Sequence, residues 1–145
     1  MGSVYAEIEL INGEDLVLVR KHIIGEEEIK RMRIQALVDT GAMFLCINEN
    51  IQEILQFPVT ERNKRFTLAN GHVVECDVVG QVELRFKNRT AFCSALVLPG
   101  DSEPLLGVMP LEEMDVLIDP LKQALIVNPA HPDFAVLRLG GIRPC

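Results

Sequence analysis

Leu37-Val38-Asp39-Thr40-Gly41-Ala42 closes an apolar run that begins at Ile34, and Met43, Phe44 and Leu45 resume it. Residues 34–38 read as a strand entering the core, so Asp39 stands where a buried strand ends. A carboxylate there is costly, because loss of water disfavours its charged form. It needs dedicated donors, a partner charge or a shared proton. Gly41 and Ala42 let the backbone turn tightly and leave room for something to approach. The tripeptide is also serviceable turn chemistry, since Asp, Thr and Gly are all common between strands. The rest of the chain has to separate the two readings.

With 145 residues the chain is expected to form one domain over residues 1–127, followed by a weakly structured C-terminal extension over 128–145. At that size roughly two-thirds of the unfolded surface can be buried. The composition is 48% hydrophobic, 5% aromatic and free of Trp, so Val, Ile and Leu must build the core, which favours strands. A formal charge of −7 without a basic cluster argues against a nucleic acid partner. The start, Met1-Gly2-Ser3-Val4-Tyr5, lacks a basic and apolar leader, and no segment approaches membrane-spanning length, so neither secretion nor a membrane is expected. Cys46, Cys76, Cys93 and Cys145 have no metal-like or disulfide spacing and read as free thiols of a cytoplasmic protein. His22, His72 and His131 are too scattered for a ligand set, so neither metal nor cofactor is expected.

Alternating apolar residues from Val4 to Leu10 predict a strand, and Asn12-Gly13 predicts a hairpin turn into a second strand through residues 16–19. The charged stretch 20–33 reads as a solvated connection. Asn48 is a suitable N-cap for a helix that presents Ile51, Ile54 and Leu55, and Phe57-Pro58 ends it. Residues 66–69, the turn Asn70-Gly71 and residues 73–75 carry a strong hairpin signature. Strands are expected over 78–86 and 91–98, the latter nearly all apolar and so buried on both faces. Pro110 suits the first turn of a short helix reaching Met114, and residues 116–119 and 124–127 give the last strands of the core. Glu112, Glu113 and Asp115 read as a charged helix face without chemistry, and Asp119 as a turn residue.

Taken in order, these signals resemble the retropepsin family, the single-domain aspartic proteases of retroviral type. The resemblance covers most of the chain, from about Tyr5 to Val127, and rests on three features: Leu37-Val38-Asp39-Thr40-Gly41-Ala42, the glycine-tipped hairpin around Asn70-Gly71-His72, and Leu105-Leu106-Gly107 before a short helix. Similar spacing occurs in the protease-like domain of eukaryotic ubiquitin-shuttle proteins and in small bacterial homologues. The resemblance implies an all-β fold, a closed β-barrel equivalent to half an acid protease, with one or two short helices.

It also implies chemistry. Peptide hydrolysis without a covalent intermediate needs a base to activate water and an acid to protonate the amide, and two carboxyls sharing one proton supply both. The chain has one Asp-Thr-Gly, so a second Asp39 must come from another copy, as a twofold homodimer. By resemblance, Thr40 joins a hydrogen-bond lattice across the dimer axis and Gly41 admits the substrate backbone. The segment Leu105-Leu106-Gly107 supports the loop, and Asn70, Gly71 and His72 form a flap over an extended peptide. Leu37, Val73 and Val108 are candidate pocket residues.

Taken singly, each feature has a plainer meaning: an ordinary hairpin at Asn70-Gly71, core plus turn at Leu105-Leu106-Gly107, a solvent-facing His72. Departures from the family pattern also count. Pepsin-like enzymes and many cellular relatives carry a hydroxyl just after Asp-Thr-Gly, where this chain has Ala42 and Met43. A mildly acidic to near-neutral activity optimum is therefore expected. The competing reading is a binding or dimerisation module with the same fold and little hydrolysis. A nucleotide- or metal-dependent hydrolase finds no phosphate loop and no ligand cluster.

Overall fold

Side chains of a strand alternate between faces, and Ala6, Ile8 and Leu10 accordingly point into the core from β1 (Tyr5–Asn12). In the computed structural model, which describes residues 2–68 and 70–138, β2 (Arg31–Val38) runs antiparallel to β1 and sets Ile34 opposite Ile8 and Ala36 opposite Ala6. Between them lies the first departure from the sequence reading. Asn12-Gly13 is not a hairpin turn, and residues 16–19 are not a strand. They belong to helix α1 (Gly13–Arg20). Asn12 caps it by accepting from the Asp15 amide, and Glu14 and Asp15 place negative charge in the first turn, where the helix dipole favours it. The connection then passes through a 3-10 turn at Glu26–Glu28 and is pinned by Lys30, whose backbone and side-chain nitrogens both donate to Asp15.

The remaining elements are β3 (Leu45–Asn48), α2 (Glu49–Leu55), β4 (Val59–Thr67), β5 (Val73–Phe86), β6 (Arg89–Leu98), β7 (Leu105–Leu106), α3 (Val108–Met114), β8 (Val116–Asp119) and β9 (Ala124–Val127). Asn48 caps α2 as expected, but Ile54 faces outward, leaving Ile51 and Leu55 as the buried face. The fold is strand-dominated, as expected, with three α-helices rather than one or two.

Seven strands share one sheet in the order β1-β2-β7-β3-β6-β5-β4, and β1 pairs again with β5 from Glu9↔Arg85 to Asn12↔Val82. β5 serves two partners along one edge because it bends at Gly80-Gln81. Gln81 is left-handed (φ 56°) and the register to β6 shifts between Val79 and Val82. Before the bend β5 pairs with β4, and after it with β1. Ile8, Leu10, Leu45, Ile47, Leu55, Leu84, Leu106 and Met114 fill the core between these strands and helices.

Two further expectations need correction and one is refined. β6 is not buried on both faces: it alternates, and Phe92 is 68% exposed. β8 and β9 form as expected and send Val116 and Leu125 into the core, but they pair with each other as a separate two-stranded sheet. Residues 128–138 form no strand or helix, yet they are not loose, being hydrogen-bonded to Asp115, Asn88 and Arg89. Pro110 sits in the first turn of α3, which begins two residues earlier at Val108. Cys46 and Cys76 are buried and Cys93 half-buried, all as free thiols. Cys145, Ala69 and the end of the extension lie outside the described residues. No helix among the described residues is long and apolar enough to cross a membrane.

Candidate active site

Asp39 is the first residue after β2, and the element that holds it there is β7. Leu37 and Val38 pair in parallel with Leu105 and Leu106, while Cys46 on β3 pairs antiparallel with Leu105 from the other side. The two-residue strand is thus wedged between the strand entering the Asp39 loop and the strand leaving it. Its carbonyls fix the entry: the Leu37 amide donates to Pro104 O at 2.9 Å, and the Asp39 amide to Leu106 O at 3.0 Å.

Gly107 passes directly beneath the loop. A Cβ there would lie 2.5 Å from Phe44 O and 2.7 Å from Met43 C, both backbone atoms that cannot swing aside. The first amides of α3 then hold the loop's far side, Val108 N–H donating to Ala42 O at 2.9 Å and Met109 N–H to Met43 O at 3.0 Å. Residues 105–109 therefore form one cradle for residues 39–44. Leu106 and Gly107 are buried and Leu105 is half-buried.

Within the cradle the loop closes on itself. Gly41 N–H donates to Asp39 Oδ1 at 2.9 Å, and Ala42 N–H to Asp39 O at 3.1 Å. A Cβ at Gly41 would come within 3.1 Å of that same carboxylate oxygen, so a larger residue would press on the carboxylate and make it give by a few tenths of an ångström. Asp39 is half-exposed, and Thr40, Gly41 and Met43 around it are exposed, so in the single chain the carboxylate faces open surface. Beyond the loop, burial pushes the Cys46 thiol up to about 11 and the Cys93 thiol up to about 12, which keeps both un-ionised and poor nucleophiles near neutrality.

The β4–β5 hairpin carries Asn70, Gly71 and His72 at its tip. Gly71 takes a left-handed conformation (φ 85°), Leu68 N–H donates to His72 O at 2.7 Å, and His72 N–H to Asn70 Oδ1 at 2.9 Å. All three tip residues are exposed. The hairpin is not independent of the Asp39 loop: Phe66 of β4 meets Phe44 edge-to-face, with centroids 6.3 Å apart. Sequence reasoning did not single out this pair, although two aromatics in a chain with so few were a usable signal. Of the candidate pocket residues, Leu37 is half-buried beside the cradle and Val108 half-buried within it, while Val73 is 60% exposed on the hairpin.

A family model described as aspartyl protease matches residues 26–109, more than half of the chain and all three sequence features around Asp39, Gly71 and Gly107. The chain belongs to the aspartyl protease family. No curated protein matches it. The matched segment takes in β2 to β7 and stops two residues into α3, so the rest of α3, the β8–β9 pair and the extension lie beyond it.

Proposed function

We propose that this member of the aspartyl protease family is a homodimeric aspartic endopeptidase of retropepsin type, cleaving extended polypeptides with water held between two Asp39 carboxyls, one per subunit. The carrying observation is a single Asp-Thr-Gly at a surface-facing strand end, gripped on both sides by backbone hydrogen bonds. A position so firmly set, with one carboxylate and no second acid in the same loop, suits pairing across a twofold axis. One carboxyl, ionised, takes a proton from water as the water oxygen bonds to the scissile carbonyl carbon. The other, protonated, donates to the carbonyl oxygen. Collapse of the tetrahedral diol breaks the C–N bond as one carboxyl gives its proton to the departing nitrogen and the other takes a proton from a diol hydroxyl, which restores the single shared proton.

In this reading Thr40 links the two loops across the axis. Asn70, Gly71 and His72 close over the peptide, and exposed backbone on the hairpin pairs with it as a strand would. The return pairing of β1 onto β5 supports a closed barrel. The order of motifs is the ground for likening the protein to the small bacterial and ubiquitin-shuttle forms, and three free thiols suit a reducing cytoplasm. A binding module is the second reading, favoured by Met43, 60% exposed beside the carboxylate where bulk narrows a cleft.

Cleavage of a denatured protein by the wild type and by Asp39→Asn decides between them. The enzyme reading expects activity lost in the variant, and equal rates would remove it. It also expects a profile peaking from mildly acidic to near-neutral pH; a peak below about pH 3 would instead indicate a site of pepsin type.

A further inference from the structure

The C-terminal extension approaches the molecule at the end of α3 opposite to the Asp39 loop. Asp115 follows that helix in a left-handed conformation (φ 53°, ψ 58°), and its side chain is only 12% exposed. It gathers three groups from the extension. Val136 N–H donates to Oδ2 at 3.0 Å, Asn128 Nδ2 to Oδ1 at 3.0 Å, and His131 Nδ1 lies 2.6 Å from Oδ2. A second anchor comes from the β5–β6 turn. Asn88 Nδ2 donates to Pro132 O at 2.9 Å and Asp133 O at 3.3 Å, and Arg89 Nη2 donates to His131 O.

Arg89 is satisfied only in part by this contact. Its side chain is 2% exposed, and its Nε and Nη1 meet no acceptor among the described residues. A buried guanidinium with open donors costs free energy that water would restore. The docked strap is therefore held by the Asp115 cluster and by Arg89 Nη2, while the same guanidinium keeps two buried donors without a partner among the described residues.

The helix between is short and tied at both ends. α3 has seven residues, about 10 Å of rise. Glu113 on it accepts from the Phe92 amide of β6 at 2.7 Å. At its start, the Val108 and Met109 amides hold Ala42 O and Met43 O in the Asp39 loop. A helix so short is a rigid element through which a displacement at one end can reach the other.

We propose that residues 128–138 form a strap that positions the catalytic loop through α3, with Asp115 as the positioning residue. Docking of the strap sets the geometry in which Asp39 works, so release of the strap lowers turnover without touching the substrate. This rests on the protease reading for its kinetic consequence, but its structural part stands apart from it.

The test uses the full chain carrying Asp115→Asn, which keeps a residue tolerant of left-handed backbone while disrupting the three-donor cluster. Amide hydrogen exchange is read at Val136, Val108 and Met109, alongside kcat and KM on a peptide substrate. The expected result is at least tenfold faster exchange at all three amides, with kcat reduced several-fold and KM within about twofold. Asn128→Ala, which leaves the turn at residue 115 untouched, serves in its place if the first variant does not fold. Faster exchange at Val136 with Val108, Met109 and kcat unchanged would overturn the proposal. So would a Val136 amide that stays protected, because the cluster would then not be what holds the strap. A wild type without peptidase activity removes the protease reading alone, since the exchange at Val108 and Met109 still answers for the strap.

Discussion

Asp39 and Gly107 divide the work at the level of single residues: one brings the charge, the other makes room for the loop that carries it. Gly107 has ordinary backbone angles (φ −88°), so its requirement is one of space. Gly107→Ala drives a methyl into Phe44 O and Met43 C, and we expect a loss of about 1–3 kcal/mol, as in other overpacked sites. Urea denaturation should register it as a lower midpoint at unchanged slope, and a wild-type midpoint would mean that the loop yields. Gly71 is the converse case. Nothing lies within 4 Å of a Cβ there, but its φ of 85° is one that side chains rarely adopt. The Asp-Thr-Gly and Leu-Leu-Gly segments were legible in the sequence because each combines a rare charge or a glycine with an apolar run. Asp115 was not legible. Its three donors come from residues 13, 16 and 21 positions away, and nothing local marks an acid after a helix as their hub.

Among the elements, α1 is the clearest failure of local reasoning. Asn-Gly is a strong hairpin signal, yet here the asparagine caps a helix and the glycine passes beside the bend of β5, where a Cβ would lie 2.6 Å from Gln81 O. Asn12 does more than cap. It is 2% exposed, and its Nδ2 donates to Leu55 O at 2.8 Å and Gln56 O at 3.2 Å, tying α1 to the end of α2. Aspartate caps as well as asparagine but cannot donate. Asn12→Asp should therefore cost about 1–3 kcal/mol in thermal denaturation, through unsatisfied carbonyls and a buried charge. A near-neutral effect would mean that those carbonyls find water.

The strap gives an element-level dependence on pH. The Val136 amide, the Asn128 side chain and His131 together hold the Asp115 carboxyl down from the ordinary 3.8 to about 2. In the unfolded chain the group takes up its proton at higher pH than in the folded one. Its contribution is thus complete above about pH 4 and fades as pH falls towards 2. The protection of the Val136 amide, taken relative to its intrinsic exchange rate at each pH, should fall across that window in the wild type and stay flat in Asp115→Asn.

For the whole molecule, the proposed mechanism gives a single chain only half a site. If two Asp39 carboxyls are required, specific activity must fall on dilution below the dimer's dissociation constant, and sedimentation must find the dimer at concentrations where activity is full. Activity strictly proportional to protein concentration in a sample that sediments as a monomer would contradict the paired-carboxyl mechanism. The bend of β5 also belongs to this scale. It lets one strand serve as half of the hairpin and as the partner of β1, and so fixes where the hairpin stands relative to the Asp39 loop.

The amino-acid sequence alone determined the strand-rich class, the hairpin, the helix after Asn48 and the catalytic candidate. Each of these is written in short-range periodicity or in turn chemistry spanning a few residues. Tertiary structure decided that residues 13–20 coil rather than extend, that β8 and β9 stand apart, and that the extension is strapped to Asp115 and Arg89. Those outcomes depend on carbonyls, donors and buried charges brought together from distant parts of the chain. Their free energies do not exist until the chain has folded, so no local pattern can announce them.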